Sequence, residues 1–463
     1  MKKYIYPKKI INAQPNWLNL LKKQELQIGL SEKLTSTFQD GDYVILDFGV
    51  EICGGIRILT FKAKNVPIRV RFGESLTECC AEIGEKNATN DHSLRDFSLH
   101  LQNYSDTSFG RSGFRFVRLD FYGAVELKSI VAESRIAKKE VCYKYDGEDF
   151  TIKKIYECAK RTIDLCTESG YVLDGIKRDR LVWVGDMHPE MLALTTLYGR
   201  VKEIEKSLDF VKNQTPLPSW MNGIPMYSMW WIIVIADYYE RTGARDFVEK
   251  QIEYLEALLQ QMDSCIKDNG ELNYPFYFVD WPTHNQPDEI LGARAINILA
   301  VKKAIDLLNE FGKPTSLATS LLDRLLKVDI LPTRSKQVTA LKYFALGNLS
   351  DEDKQNLLAG GAKGLSTFMS YYILKAIASF DKEQAVNVMK EYYGAMLDKG
   401  ATTFWEDFDI DWGNNSCRID EFPKENQKDI HGDFGDFCYK GFRHSLCHGW
   451  SSGVLAFLNE EEI

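Results

Sequence analysis

The sequence predicts a multidomain fold, with an N-terminal antiparallel β-sandwich over residues 1–147 followed by an all-α region over residues 148–463. Two observations predict this division. Apolar and polar residues alternate with a period of about two between residues 40 and 145, and from about residue 150 apolar residues recur three and four positions apart. The first spacing is typical of half-buried strands, and the second is typical of amphipathic helices.

The β region is predicted from short alternating runs. They occupy residues 56–61, 68–72 and 114–121, and a shorter apolar run at residues 44–46 is closed by Asp47-Phe48-Gly49. Strands of this kind bury one face and leave the other in water, as the sheets of an antiparallel sandwich do. Glycines and Asn-Asp clusters between the runs supply the residues that turns prefer.

Helical periodicity covers most of the chain after residue 150. The segments are 150–166, 189–200, 201–212, 226–242, 245–266, 290–311, 315–326, 337–346, 366–379, 382–397 and 445–458. Paired helices in such numbers predict either a closed ring of six hairpins or an open solenoid. The absence of a sequence repeat of fixed period favours the ring. A ring would carry its pocket at one end, built from the connecting loops.

The composition is that of an enzyme-sized globular protein. The chain has 463 residues, of which 44% are hydrophobic and 27% charged, and its formal net charge is -9. A negative charge argues against nucleic acid as the main partner, because phosphate binding needs a basic surface. No apolar run has the length of a transmembrane helix or of a signal-peptide core, so no membrane partner is expected. The sequence makes no prediction of the oligomeric state.

The cysteine pattern indicates neither a metal site nor a disulfide framework. The ten cysteines include the neighbours Cys79 and Cys80 but form no C-x-x-C pair and no zinc spacing. Without a secretion signal we expect reduced thiols and a cytoplasmic location, although a secreted chain already trimmed of its signal would look the same.

No cofactor or metal is expected from the motifs. The chain contains no P-loop, no dinucleotide-binding fingerprint and no G-x-S-x-G. Three aspartates from Asp407 onwards resemble the start of a calcium loop. The sixth position of that loop is Trp412 rather than Gly and the twelfth is Arg418 rather than Glu, so the pattern fails.

The densest group of chemically useful residues lies between Asp174 and Asp186, which read D-G-I-K-R-D-R-L-V-W-V-G-D. A loop that holds carboxylates beside arginines and a tryptophan is what a sugar-cleaving site needs. Carboxylates bind hydroxyls and move protons, arginine orients them, and an indole packs on the apolar face of a sugar ring. The alternative is a surface loop in which Asp179 only pairs with Arg178 or Arg180 and Trp183 belongs to the core.

Acids beside tryptophans recur at other helix–loop junctions, which favours one acidic and aromatic pocket. The candidates for its lining, beyond residues 174–186, are Trp231, Asp280, Trp281, Trp405, Glu406 and His448. His448 could instead be a buried histidine bonded to backbone. Glu190 is a further acid candidate, but it sits in the following helix behind Pro189.

The pattern D-x-x-x-R-D-R-x-x-W-x-G-D resembles the signature of bacterial α-L-rhamnosidases of glycoside hydrolase family 78. Residues 400–406, G-A-T-T-F-W-E, are similar to a second motif of that family, and residues 445–448, S-L-C-H, to its histidine segment. In the β region, residues 46–49, 71–76 and 113–117 are similar to the sandwich that precedes the family's catalytic domain. The resemblance covers the chain from about residue 40 to the end.

The resemblance implies an (α/α)6 barrel and inverting hydrolysis of a terminal rhamnose from a glycoside or oligosaccharide, without a cofactor. It implies that Asp179 is the general acid and Glu406 the general base. The residues that would contact the sugar are Asp174, Arg178, Trp183, Asp186 and His448.

The chain departs from the family pattern in several places. Gly175-Ile176 replace Cys-Pro, Asp179 stands where the family has Glu, and residues 409–442 form a longer connection that could cap the pocket. The chain also carries one β-domain where many relatives carry several. A barrel glycosidase of different sugar specificity, or an inactive sugar-binding relative, therefore remains an alternative.

Overall fold

The β region is antiparallel throughout. The computed structural model describes residues 3–23, 34–134, 136, 139–437 and 439–463. The strands of the first region are β1 (Lys3–Ile5), β2 (Lys9–Ile10), β3 (Ser36–Phe38), β4 (Tyr43–Lys62), β5 (Lys64–Gly73), β6 (Asp96–Gln102), β7 (Asp106–Phe121) and β8 (Val125–Ser134). A short helix, α1 (Leu76–Cys80), follows β5.

These eight strands form one hydrogen-bonded network. The order is β1-β8-β4-β7-β5-β6, with β2 beside β4 and β3 beside β8. The long strands β4 and β7 pair from Tyr43 opposite Asp120 to Leu59 opposite Asp106. Their register shifts twice, between Asp47 and Ile52 and between Gly54 and Ile56. At Gly54 a Cβ would lie 1.9 Å from the Glu133 carbonyl oxygen, so the approach of β8 requires glycine.

Aromatic side chains fill the core of the β-domain. Phe38 stacks on Phe121 with ring centroids 4.1 Å apart, and Trp17 covers Phe38 at 4.9 Å. The Trp17 indole N–H donates to the Thr37 carbonyl at 2.9 Å, which satisfies its polar atom. The alternating runs of the sequence thus fold as predicted, with one face of the strands packed inward.

The second region is helical. A two-stranded hairpin, β9 (Thr167–Glu168) and β10 (Tyr171–Val172), follows its first helix. The helices are α2 (Phe150–Cys166), α3 (Met187–Tyr198), α4 (Lys202–Gln214), α5 (Pro225–Thr242), α6 (Arg245–Val248), α7 (Ile252–Asp263), α8 (Glu289–Glu310), α9 (Ser316–Leu325), α10 (Lys336–Leu346), α11 (Asp351–Leu358), α12 (Ser370–Ala378), α13 (Lys382–Asp398) and α14 (Val454–Glu460).

The helices form two concentric rings. In the described part of the chain, the inner ring consists of six helices in which each contacts the next: α3, α5, α8, α10, α12 and α14. The ring is closed because α14 also contacts α3. These inner helices are buried on most faces, as in α5, whereas outer helices such as α4 bury a single stripe, Ile204, Ser207, Leu208 and Val211. One outer helix, from α2, α4, α7, α9, α11 or α13, precedes each inner helix. The predicted (α/α)6 barrel is confirmed.

The β-domain packs directly on the barrel. Arg115 of β7 forms an ion pair with Asp47 at 2.9 Å and donates to the Gly400 carbonyl at 3.2 Å. The Glu51 amide donates to the Thr402 hydroxyl at 2.8 Å. The predicted boundary between residues 147 and 148 lies in the connection from β8 to α2 and stays a prediction. None of the described helices is long and apolar enough to span a bilayer.

Candidate active site

A cavity opens at the end of the barrel where the loops enter the inner helices. It encloses about 220 Å³. Its walls come from the segment before α3, the first turn of α5, the segment before α8 and the segments before α14. The lining residues are Asp174, Arg178, Asp179, Trp183, Asp186, Ile224, Tyr227, Phe276, Phe278, Trp281, His284, Glu406, Tyr439, His448 and Trp450. Most of the residues predicted from the sequence therefore meet in one place.

The 174–186 loop is closed on itself by Asp174. The Asp174 amide donates to the Leu181 carbonyl at 3.1 Å, and the Asp174 carboxylate accepts from the Leu181 amide at 2.7 Å. The Gly449 amide also donates to the Asp174 carbonyl at 2.6 Å. These bonds tie the loop to the histidine segment, so residues far apart in sequence share one rigid wall.

The apex of this loop is strained. Asp179 and Arg180 have φ values of 54° and 56°, in the left-handed region that residues with a Cβ rarely adopt. Two such residues in succession persist only where their surroundings hold them, and that situation is common at functional sites. The Asp179 carboxylate accepts from Arg178 at 3.0 Å and lies 3.1 Å from the Nδ1 of His92, which belongs to the β-domain.

Arg178 joins the two predicted catalytic carboxyls. One terminal nitrogen donates to Asp179, and the other donates to Glu406, 228 positions away in sequence. Because both bonds start from one planar guanidinium, the two accepting oxygens lie at most about 8 Å apart. Asp179 and Glu406 therefore face one cavity from two loops.

Glu406 is held on all sides. One carboxylate oxygen accepts from the Ser445 amide at 2.9 Å, and the Glu406 carbonyl accepts from the Trp450 indole at 2.9 Å and the Thr367 hydroxyl at 2.6 Å. Burial raises the pKa of the Glu406 carboxyl, and the Arg178 guanidinium and the Ser445 amide act in the opposite direction. These two donors favour the ionised form that a general base needs.

His448 lies among three carboxyls. Its Nε2 is 3.9 Å from Asp174, 3.9 Å from Asp186 and 3.7 Å from Glu406. Burial holds the pKa of His448 well below its usual value, so the ring is neutral and can donate or accept one hydrogen bond. Its ring lies against Trp450 with centroids 4.2 Å apart.

Burial also dominates at the other cavity acids. It raises the pKa values of Asp174 and Asp186 well above their usual range, and the negative charges of neighbouring acids add to the shift. The Tyr227 hydroxyl donates to Asp186 at 3.3 Å. Glu190 is buried too, but it lies behind the cavity, where a Cβ on Gly449 would approach its carboxylate oxygen to 2.0 Å. It is not among the residues that line the cavity.

Three residues predicted to line the pocket lie outside its wall as the structure describes it. Trp405 is buried against Phe408 with centroids 5.4 Å apart, and Trp231 packs in the core against Tyr254 at 5.1 Å. Asp280 turns inward to accept from the Trp281 amide at 2.8 Å and from the Ser366 hydroxyl.

These three residues are not among those that line the cavity, and their predicted contact with the sugar stays a prediction. Asp280 has extended backbone, and in an extended segment successive side chains point to opposite sides. The structure selects Trp281 over Asp280 and Glu406 over Trp405.

Several lining residues were not predicted. Tyr227 lies in an apolar helix whose sequence marks no face as functional. Tyr439 belongs to the long 409–442 connection and packs against Trp281 at 5.8 Å, while Phe437 packs on the same indole at 5.3 Å. The connection thus supplies part of the wall, as the expectation of a cap implied. Phe278 and Trp450 also line the cavity.

Comparison with known proteins agrees with this geometry. Residues 145–313 match the family of the bacterial alpha-L-rhamnosidase 6 hairpin glycosidase domain. No curated protein matches the sequence.

The solved structures with this fold include three rhamnosidases. The structure of a rhamnosidase from Klebsiella oxytoca with rhamnose bound is 18% identical, with a TM-score of 0.73, over 92% of this chain and 89% of that one. The GH78 family rhamnosidase of Bacillus sp. GL1 is 20% identical, with a TM-score of 0.75, over 96% of this chain and 48% of that one. The Streptomyces avermitilis alpha-L-rhamnosidase complexed with L-rhamnose is 14% identical, with a TM-score of 0.70, over 98% and 43%. The chain thus spans about half or less of the second and third proteins.

The closed ring of six helical hairpins, with an acidic and aromatic cavity at one end, agrees with this family match, and the chain is a glycoside hydrolase. The part that matches the bacterial α-L-rhamnosidase domain is residues 145–313, which cover the first half of the helical region. The resemblance stated from the sequence motifs is confirmed.

Proposed function

We propose that the chain is an inverting α-L-rhamnosidase that removes a terminal rhamnose from a glycoside or oligosaccharide. The observation that carries the proposal is the pair of carboxyls joined by Arg178, with Asp179 on one loop and Glu406 on another. The rhamnose bound to the Klebsiella oxytoca and Streptomyces avermitilis proteins supports the choice of sugar.

One of the two carboxyls acts as the general acid and the other as the general base. Asp179 gives its proton to the leaving oxygen as the bond from that oxygen to the anomeric carbon breaks. Glu406 takes a proton from a water molecule whose oxygen forms the new bond on the opposite face of the ring. Asp179 is then ionised and Glu406 protonated, and exchange with solvent restores both. The product has the opposite anomeric configuration.

The remaining polar groups hold the sugar. Asp174, Asp186 and His448 converge around one point and present hydrogen-bonding atoms to ring hydroxyls. Trp183 and Trp281 line the same cavity and offer apolar faces to the ring carbons and the methyl group. Such a site uses polar contacts to orient the sugar and apolar contacts to bind it.

The proposal is tested on an aryl α-L-rhamnoside by following the free sugar with ¹H NMR at early times. We expect β-L-rhamnose to appear first. Glu406→Gln and Asp179→Asn should each lower kcat by roughly a hundredfold to ten-thousandfold, the usual contribution of one acid or base. Asp411→Asn, at an exposed carboxylate paired with Lys363, is the matched control and should keep full activity. Unchanged turnover by Glu406→Gln would show the assignment to be wrong.

A second candidate keeps the fold and changes the sugar, or retains binding without turnover. The observation in its favour is that the acid is an aspartate already engaged by Arg178 and His92. Aryl glycosides of rhamnose, fucose, mannose and uronic acids separate these possibilities. Cleavage of another sugar alone identifies a different glycosidase, and calorimetric binding without any product identifies a binding protein.

The cytoplasmic location, expected because the sequence shows no secretion signal, remains a proposal. Immunodetection in fractionated cells tests it, and recovery of the protein outside the cytoplasmic fraction would contradict it.

A further inference from the structure

A buried polar cluster lies beside the cavity, where the β-domain meets the barrel. The β-domain contributes Glu74 and Glu78, the loop before α3 contributes Lys177, and the segments before α14 contribute His431 and Ser445. The Lys177 ammonium lies 3.1 Å from Glu74 and 3.2 Å from Glu78, so it supplies the positive charge that the two carboxylates need. The cluster connects three segments that come from different parts of the chain.

Glu74 receives donors on both carboxylate oxygens. The Ser445 hydroxyl donates to one oxygen at 3.2 Å, and the Leu446 amide donates to the other at 2.6 Å. Glu74 is fully buried and lies 371 positions from Ser445 in sequence. A carboxylate with a donor at each oxygen and an ammonium beside it has one preferred position, and it fixes the backbone that donates to it.

The same backbone holds Glu406. The Ser445 amide donates to the Glu406 carboxylate at 2.9 Å, and the Glu406 amide donates to the Ser445 carbonyl at 2.9 Å. Ser445 therefore touches Glu74 through its hydroxyl and Glu406 through its backbone. A shift of this residue away from Glu74 moves a donor away from the Glu406 carboxylate.

Lys177 reinforces the arrangement from the other side. Its ammonium donates to the carbonyls of Phe442 at 2.9 Å and His444 at 2.5 Å, immediately before Ser445. Its neighbour in sequence, Arg178, bridges Asp179 and Glu406. One buried network thus fixes both the segment that donates to Glu406 and the loop that carries Arg178.

We propose that Glu74 of the β-domain is a positioning residue for Glu406, acting through Ser445 and Leu446, and that the β-domain is consequently part of the catalytic unit. This inference rests on the proposed role of Glu406. Glu74 is not among the residues that line the cavity, and its effect reaches the sugar through the carboxylate that it orients.

Glu74→Gln is the principal test. A glutamine side chain has one acceptor oxygen where glutamate has two, so one of the donors from Ser445, Leu446 or Lys177 faces an NH₂ group. We expect kcat to fall roughly tenfold to a hundredfold, as small displacements of a catalytic group do, with KM little changed because the sugar-binding groups stay in place. Glu82→Gln is the matched control, since Glu82 is an exposed acid of the same domain paired with Arg69 and Arg71.

The pH profile provides a readout that a purely structural role would not move. The charged and titratable groups that face Glu406 are Arg178, Asp179, Lys177, His448, Asp174, Asp186 and its neighbour Asp407. In Glu74→Gln the donor from Ser445 weakens, and Lys177 loses the negative charge of Glu74. The pKa of Glu406 should shift, and the acidic limb of kcat/KM should move with it. A profile and a kcat equal to those of the parent would overturn the proposal.

Two further measurements apply if Glu74→Gln is unstable or the parent is inactive. Ser445→Ala removes one donor to Glu74 and leaves the backbone amide and all charges in place, so it should lower kcat by a smaller amount and move the acidic limb to higher pH. The pKa of Glu406, measured without substrate by ¹³C NMR of protein labelled at glutamate carboxyls and assigned with Glu406→Gln, should shift in Glu74→Gln and rise in Ser445→Ala. An inactive parent with this rise contradicts the proposed function alone, and an unchanged pKa in both variants contradicts the inference.

Discussion

The carboxylates of the β-domain surface and those of the barrel cavity have opposite environments. Arg69 lowers the pKa of Glu82, and Arg57 lowers the pKa of Asp106, in exposed pairs on the sheet. In the barrel, burial raises the pKa values of Asp186, which lines the cavity, and of Glu190, which lies behind it. Acids paired with arginine on a surface serve solubility and contribute little to stability. Acids gathered in a buried cavity cost stability, so their presence indicates a function.

Arg178 differs from the surface arginines because its guanidinium lies in the cavity, among the acids that line it. Arg178→Gln removes the bridge between Asp179 and Glu406. We expect kcat/KM to fall by about a hundredfold or more, since charged hydrogen bonds in a buried site are strong. The pKa of Glu406 should rise because the charge that lowers it is gone, so the acidic limb of the profile moves to higher pH.

The control for this variant is Arg57→Gln, which removes an arginine from the exposed pair with Asp106. Its kcat/KM and its pH profile should match those of the parent. An Arg178→Gln enzyme with an unshifted acidic limb would show that the guanidinium does not set the ionisation of Glu406.

A change in the length of the acid at position 179 should lower activity by less than Arg178→Gln does. Asp179 sits at a strained apex and reaches Arg178 and His92 with an aspartate side chain. Asp179→Glu adds one methylene, about 1.5 Å of reach, to a loop built for the shorter acid. We expect kcat to fall roughly tenfold, measured on the same aryl rhamnoside. A gain in kcat would show that the loop accommodates the acid typical of the family.

The smallest expected effect is on the pH dependence of Tm in Glu190→Gln. The pKa of Glu190 is raised above its usual value of 4.5, so the folded protein binds a proton there that the unfolded chain has released. The stability that protonated Glu190 contributes is therefore lost as the pH rises above 4.5. Glu190→Gln removes the penalty, and its Tm relative to the parent should increase between pH 5 and pH 8 when scanned by calorimetry.

For Glu82→Gln the difference in Tm from the parent should stay constant over the same range. The pKa of Glu82 is lowered, so its contribution is complete above its usual value of 4.5. If Glu190→Gln gave a constant difference as well, the buried acid behind the cavity would behave like the surface acid and the comparison would fail.

The sequence predicted the fold well because each element carries its own periodicity. The bounds of α2 agree with the predicted segment, and most other helices differ by a few residues. Helix α11 was not predicted, since its short sequence has only a weak apolar stripe. Its start was visible in Ser350 and Asp353, which form a capping box.

Most of the cavity residues that the sequence indicated came from motifs. Asp174, Arg178, Asp179 and Glu406 came from motifs and line the cavity, and Trp281 came from the recurrence of acids beside tryptophans. The direction of a side chain in a loop has no periodicity to reveal it, so the sequence did not show that Glu406 lines the cavity and its neighbour Trp405 does not.

Other contacts between distant segments were not predicted. Tyr439 and the network around Glu74 depend on parts of the chain that meet only in the folded protein. No local pattern in the sequence reports such a meeting.

The closure of the inner ring by α14 against α3 affects how the enzyme is made. Asp174 needs Gly449 and His448, which are synthesised after the first five hairpins of the ring. A nascent chain can complete the β-domain and these hairpins, but its acids have no finished cavity until α14 has been made. The site is therefore assembled late in translation of the barrel, and a chain that stops short of α14 has an open ring and lacks one wall of the cavity.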